Sequence, residues 1–249
     1  MNTGVKAIVT GHTHGLGAAT ALALLNRGIP VLGIARGSSD QLSSRFPANC
    51  QQTKISLDDT DAIATWLATP ALHEFLDGCT EVLLINNAGI VQPVGPLQDQ
   101  DPLQIARAIS LNVAAPLMLA AAVVQVTPGK QRRILHVSSG AGRNAYPGWS
   151  VYCATKAALD HHARAVALDG QAGVRICSLA PGVIDTAMQA EIRATPESQF
   201  PIRQRFLDMK QHGELASPAD CAEQLVAYLL SDAFGRNPVD DVRNVISQA

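Results

Sequence analysis

Val5-Lys6-Ala7-Ile8-Val9-Thr10-Gly11-His12-Thr13-His14-Gly15-Leu16-Gly17 is the stretch from which the rest of the chain can be read. It opens on a short, β-branched apolar run and passes into a turn holding three glycines. From Gly15 to Arg27 alanine and leucine then recur at helical spacing. The order is strand, glycine-rich turn, helix. At such a junction the first amides of the helix lack partners and the helix dipole adds positive potential, so the turn can hold a pyrophosphate. Glycine also serves ordinary turns, so the junction alone does not establish a ligand.

Outward from this stretch the alternation continues. Gly28 stops the helix, and Pro30 to Ala35 reads as a second, buried strand, which completes a βαβ unit. Gln52 to Leu57 reads as a third strand, Asp59 to Thr69 as a helix, and Glu81 to Ile85 as a fourth strand. Pro102 to Val126 is helical, Arg133 to Ser138 a fifth strand, Gly148 to Asp169 a helix and Val174 to Leu179 a sixth strand. This pattern predicts an α/β protein: a doubly wound, Rossmann-type parallel sheet flanked by helices on both faces. No internal repeat, low-complexity tract or linker divides the chain, so residues 1–249 are expected to form one domain. Met188 to Gly213 interrupts the alternation, being polar and rich in Gln and Arg. It is either a lid over a substrate or a surface helical excursion.

Composition narrows the function classes. With 47% hydrophobic and 16% charged residues the chain has the make-up of a packed globular protein. A net charge of -2 gives no electrostatic reason to expect nucleic acid or an anionic membrane, so a small molecule is the expected partner. Cys50, Cys79, Cys153, Cys177 and Cys221 are odd in number and contain no CxxC pair, which predicts free thiols and no metal site. No leader is recognised at the N-terminus, and the Ala/Leu/Val-rich run Pro116 to Val126 is too short to cross a membrane. A soluble cytoplasmic protein is expected.

Several polar residues stand at the ends of the predicted strands. Tyr152 and Lys156, four apart in a helix, emerge on one face. An ammonium beside a phenol favours the phenolate and lowers a pKa that is otherwise near 10. Such a pair also arises by chance on surface helices. Ser139 follows the fifth strand, at the end of a parallel sheet where ligands bind, although its neighbour Ser138 could take the same role. Asn86-Asn87-Ala88-Gly89 follows the fourth strand, and Ala180-Pro181-Gly182-Val183-Ile184-Asp185-Thr186 follows the sixth. Asn112 is a polar residue in an apolar helix, read from the residues alone as a kink or a buried hydrogen bond.

In this order the TGxxxGxG turn, NNAG, the serine, YxxxK and the PG…T segment resemble the short-chain dehydrogenase/reductase family over roughly residues 5 to 190. The resemblance implies a dinucleotide held by Gly11, Thr13, His14, Gly15, Leu16 and Gly17, by Asn87, Ala88 and Gly89, and by Pro181, Gly182, Val183 and Ile184. It implies hydride transfer to a carbonyl, with Ser139 polarising the oxygen and Tyr152 donating the proton. Lys156 would sit beside Tyr152 and hold the nicotinamide ribose, and Asn112 would hold a relay water. An acid closing the second strand would bind a ribose 2′-hydroxyl. Ile34-Ala35-Arg36-Gly37-Ser38-Ser39 has none, and Arg36 can clamp a phosphate, so NADPH/NADP+ is the expected cofactor. His14 either adds a phosphate contact or fills the turn as a neutral histidine. Ser56 stands where the family has an adenine-binding Asp.

Gly148 to Asp160 and Asp185 to Gln189 further resemble the sepiapterin reductase and benzil reductase branch, which implies a vicinal dicarbonyl substrate. Trp149 and Tyr146 either line an aromatic-friendly pocket or pack a loop. Asp240 or Asp241 is either a pterin-anchoring acid or part of an exposed acidic pair, and Phe234 to Arg243 lacks the Gly-rich terminal strand of most tetrameric relatives. One alternative is a 3-ketoacyl-carrier-protein reductase, with Arg193, Arg203, Arg205 and Lys210 receiving an acidic carrier. Another is an NADPH-sensing binding protein without turnover. By the same resemblance the apolar faces of Leu103 to Val126 and of the Tyr152 helix are expected to join copies into a homodimer or homotetramer.

Overall fold

The computed structural model describes residues 4–246. Seven parallel strands form one sheet in the order β3-β2-β1-β4-β5-β6-β7. In chain order these are β1 (Val5–Thr10), β2 (Val31–Ala35), β3 (Cys50–Lys54), β4 (Glu81–Asn86), β5 (Gln131–Val137), β6 (Val174–Ala180) and β7 (Val239–Asp241). Connecting them are α1 (Gly15–Asn26), α2 (Asp40–Arg45), α3 (Thr60–Leu67), α4 (Ala71–Leu76), α5 (Pro102–Ile109), α6 (Ala115–Val126) and α7 (Ser150–Asp169). Beyond β6 come α8 (Ala187–Ala194), α9 (Arg203–Gln211), α10 (Pro218–Leu230) and α11 (Val242–Ile246).

The central strands are apolar on both faces, as a parallel sheet covered by crossover helices requires. Alternate residues divide between two cores. Ala7, Val9, Leu83, Ile85, Leu135 and Leu179 pack with α1 and α10, whereas Ile8, Val82, Leu84, Ile134 and Ile176 pack with α3, α4 and α6. Strand order reverses between β1 and β4: β1 pairs in parallel with β2 on one side and with β4 on the other, and this is where an open α/β sheet has its ligand crevice.

The sheet departs from the sequence expectation at its two edges. β3 ends at Lys54 rather than Leu57, because Ile55 and Leu57 leave the ladder and bury in the second core. β7 was not anticipated. Val239, Asp240 and Asp241 pair with Ser178, Leu179 and Ala180 without any glycine signature. The predicted helix from Pro102 to Val126 is continuous but contains one π-helical turn, Ser110–Ala114. Contrary to the sequence reading, its 25 residues are long and apolar enough to span a membrane by length and composition. Here Ala108, Asn112, Ala115, Leu119 and Val123 are buried within the fold. Met188 to Gly213 forms α8, α9 and the loop between them.

Candidate active site

The turn after β1 is built for close backbone approach. Gly11 and Gly15 adopt φ of +69° and +57°, which favour glycine, and a Cβ on Gly17 would lie 2.1 Å from the Gly11 carbonyl oxygen. The NNAG segment braces it. Asn87 Nδ2 donates to the carbonyls of Thr10 (2.9 Å) and Gly11 (3.4 Å), and the amides of Asn87 and Ala88 donate to Thr10 Oγ1 at 2.9 and 3.0 Å. His14, exposed at the N-cap of α1, makes no side-chain capping bond, and no acid occupies the first turn. The first amides of α1 are therefore uncompensated by side chains, which fits a pyrophosphate. Thr13 is half-buried beside them, while the Leu16 side chain points into the core, leaving only its backbone for a ligand.

Arg36 is exposed at the end of β2. The loop after it is held by a group that sequence reasoning missed. His12 is fully buried against Gly33, whose Cβ would come within 2.4 Å of the ring, and its Nε2 meets Gln52 Oε1 at 2.6 Å. Gln52 also accepts from the Ser39 amide at 2.7 Å and donates to the Ser39 carbonyl at 3.1 Å. Burial pushes the His12 pKa down, so the ring is neutral. The one sequence signal was Gly33, a glycine inside an apolar strand, which often marks a close approach. Ser56 is half-buried and donates to Asp58, which in turn meets Arg107 Nε at 2.6 Å. These two partners hold the Asp58 carboxyl below its usual range, Ser56 contributing most.

At the crevice end of β5 the fold brings four predicted residues together. Ser139 caps a 3₁₀ turn, Gly140–Gly142, accepting from the Ala141 amide at 3.2 Å, and its hydroxyl acts on the nearby Tyr152 phenol, drawing its pKa down. Ser138 is buried and donates to Asp160 at 2.7 Å. Lys156 is buried, with Nζ donating to the Val137 carbonyl at 2.8 Å and lying 5.6 Å from the centre of the Tyr152 ring. Asn112, in the π-helical turn, accepts from the Ile90 amide at 2.9 Å and donates to the Ile90 carbonyl at 2.8 Å and to Thr155 Oγ1 at 3.2 Å. Gly89 completes the nest, since a Cβ there would lie 3.2 Å from Asn112 Oδ1 and 3.7 Å from Lys156 Nζ.

Electrostatics differ from the expectation of a lowered phenol. Burial pushes Tyr152 up to about 12, outweighing the Ser139 hydroxyl. Burial also brings Lys156 down to about 8, partly offset by Asp160. Removing both groups from water favours their neutral forms, and the ammonium one turn away does not compensate. At neutral pH the site therefore holds a protonated phenol, an acid beside a second hydroxyl.

The segment after β6 lies over the turn. A Cβ on Gly15 would approach Thr186 Cγ2 to 3.4 Å. Pro181 is buried and Gly182 exposed with φ of +82°. Val183 and Ile184 serve a backbone pairing with Ala216, and Ile184 is buried in the first core. Beside Tyr152 is an aromatic group. Trp149 stacks on Phe200 at 4.6 Å and meets Tyr152, Phe206 and Tyr146 at 5.3, 5.5 and 5.7 Å. Phe200 and Phe206 belong to the 188–213 segment, which packs into the same apolar cluster as Tyr152. Lys210 Nζ on Asp185 (2.6 Å) and Gln92 Nε2 on Glu191 (2.8 Å) fasten it.

The charged residues singled out in the sequence are engaged as follows. Lys210 and Arg193 face Asp185, and Arg203 Nε donates to the Arg193 carbonyl, while Arg205 is exposed. Asp240 and Asp241 are not an exposed pair. Both are buried, Asp240 accepting from Asn237, Asn244 and the Asp241 amide and Asp241 from Arg243. No group of three or more His, Cys, Asp or Glu among the described residues could hold a metal ion.

Comparisons with known proteins agree with this geometry. A family model described as short chain dehydrogenase matches residues 5–197. A benzil reductase ((S)-benzoin forming) of Bacillus cereus is 32% identical over 240 residues, covering 93% of this chain and 96% of the relative. A sepiapterin reductase of Xenopus laevis is 28% identical, covering 92% of each. The crystal structure of a short-chain dehydrogenase/reductase from Burkholderia vietnamiensis superimposes with a TM-score of 0.72 at 50% identity, over 98% of this chain and 100% of that one.

Proposed function

This chain belongs to the short-chain dehydrogenase family, and from that premise we propose that it catalyses NADPH-dependent reduction of a vicinal dicarbonyl. The observation that carries the reading is the grouping of Ser139, Tyr152 and Lys156 at the crevice end of β5, the Ser139 hydroxyl lying near enough to act on the Tyr152 phenol and Lys156 one helical turn away. Two neighbouring hydroxyls suit a carbonyl oxygen. Ser139 orients and polarises it, and Tyr152, held protonated by burial, gives it a proton as negative charge develops. The glycine-lined turn and the uncapped start of α1 fit a dinucleotide pyrophosphate, so Gly11 to Gly17, Asn87 to Gly89 and Pro181 to Ile184 would hold the cofactor. NADPH bound there supplies the hydride that the carbonyl carbon accepts. Arg36, with no acid beside it at the end of β2, supports the phosphorylated form. Lys156 holds the ribose and Asn112 the water that reprotonates the site.

Preference for a dicarbonyl rests on the benzil and sepiapterin reductase relatives and on the aromatic wall of Trp149, Phe200, Phe206 and Tyr146. Because Asp240 and Asp241 are engaged by internal partners, neither stands ready to anchor a pterin, and a diaryl or aryl-alkyl diketone suits the wall better. The test is loss of NADPH absorbance with a panel of benzil, sepiapterin, a monoketone and a ketoacyl thioester, run beside NADH. Diketone with NADPH should turn over fastest. Equal rates with NADH would remove Arg36 from its role, and no turnover with any carbonyl would reject the reading.

A further inference from the structure

Asp160 lies one helical turn beyond Lys156, is 1% exposed, and is absent from the reaction as described so far. Its Oδ1 accepts from Ser138 on the β5 exit and from Ser178 on β6, both at 2.7 Å. Its Oδ2 meets Arg143 Nε at 3.3 Å, and Arg143 Nη2 reaches the Asp240 carbonyl on β7 at 2.7 Å. The turn that carries Ser139 is seated on the same spot. A Cβ on Gly142 would lie 2.9 Å from Asp160 Oδ2 and 3.0 Å from the Lys156 carbonyl, so this turn touches α7 backbone to backbone between Lys156 and Asp160. A charge this deeply buried is costly unless its partners repay it. Two serines would satisfy a neutral amide equally well, so the carboxylate answers to the cations around it, Arg143 on Oδ2 and Lys156 one turn away.

We propose that Asp160 is a positioning residue for the reaction: from one buried carboxylate it seats the Ser139 turn on α7 and supplies the negative charge that keeps Lys156 an ammonium. The inference rests on the Ser139, Tyr152 and Lys156 reading above and adds a residue to it. Residues i and i+4 share a helix face, and Asp160 opposes the loss of the Lys156 proton that burial promotes. Burial moves the other titratable groups around this nest toward their neutral forms. His136 on β5 is brought down to about 3 by burial, burial also lowers His162, and Tyr152 and Cys177 are pushed up to about 12. Lys156 is left as the group that titrates between them.

The experiment follows the Lys156 side chain by heteronuclear NMR of the full chain carrying 13Cε-labelled lysine, without cofactor, the resonance being identified by its loss in Lys156→Met. Asp160→Asn should lower the titration midpoint by about one pH unit. Arg143→Gln, which frees the carboxylate from its competing cation, should raise it and serves if Asp160→Asn fails to fold. Ser178→Ala, which removes a hydrogen bond and no charge, should lower Tm and leave the midpoint in place. In turnover assays Asp160→Asn should lower kcat with little change in KM for NADPH, and its alkaline limb should move with the midpoint. Unmoved midpoints in the folded Asp160 or Arg143 variants would overturn the inference, whatever happens to Tm. Because the NMR midpoint needs no substrate, it separates this failure from a wild-type protein that reduces no carbonyl.

Discussion

Burial holds Tyr152 neutral and brings the Lys156 pKa down to about 8, and these two facts set the direction in which the site works best. A neutral phenol is the acid form, so reduction finds its proton donor in place across the physiological range. Lys156 is charged below about pH 8 and neutral above it. As pH rises through that value the cation beside the phenol disappears, and kcat/KM for NADPH, which reports the free protein, should fall tenfold per pH unit beyond the limb. A flat profile to pH 10 would show that Lys156 keeps its proton. Tyr152→Phe should keep NADPH affinity, read by fluorescence, while turnover falls roughly 100- to 10,000-fold; wild-type rates would remove Tyr152 from the chemistry. Tyr152, Lys156 and Ser139 were legible in the sequence because they sit at fixed distances along one strand and helix. Asp160 and His12 were not, because what makes them matter is burial against Ser178 and Gln52, which only folding brings near. The direction of the phenol shift was misread for a related reason: spacing reveals the neighbouring charge and conceals the loss of water.

Elements were legible where the local pattern agreed with the tertiary one. The first βαβ unit announced itself by strand, glycines and helical periodicity, and all of it sits as expected. β7 has three residues, two of them acidic, and its strand character comes wholly from pairing with β6. The β1–α1 turn yields a prediction at this scale. A methyl on Gly17 meets the Gly11 carbonyl and Asn87 Nδ2 at 2.1 and 2.4 Å, and neither can move without breaking the brace between the turn and NNAG. Gly17→Ala should therefore cost roughly 1–3 kcal/mol in stability and weaken NADPH binding in fluorescence titrations by more than about tenfold. Gly28, at φ +73° with nothing within 4 Å of its would-be Cβ, is the control. Gly28→Ala should cost about 1 kcal/mol through backbone strain alone and leave NADPH affinity unchanged. Equal affinity losses in both variants would mean that the turn fails by unfolding rather than by shape.

For the whole molecule the surface composition points to self-association. Among the described residues the large hydrophobics left exposed are Leu97, Leu103, Ile109 and Leu168, and three of the four lie on α5 and α7, which pack against each other. Single exposed leucines are ordinary, but Leu103, the exposed Ala106 and Ile109 recur every third residue on the outer side of α5. The same continuous helix is apolar enough to pass for a membrane span, while only its inner side has partners in the fold. A second copy of the chain, meeting this face about a two-fold axis, would cover it with an identical apolar surface. Light scattering should then give a mass of two or four times 26.2 kDa. Leu103→Glu combined with Leu168→Glu places like charges where the copies would meet, and should yield monomers with an unchanged far-ultraviolet circular dichroism spectrum. A wild-type monomer at micromolar concentration would refute the interface. Because α7 also carries Tyr152, Lys156 and Asp160, dissociation should lower Tm and turnover together, whereas an interface remote from the site would lower Tm alone.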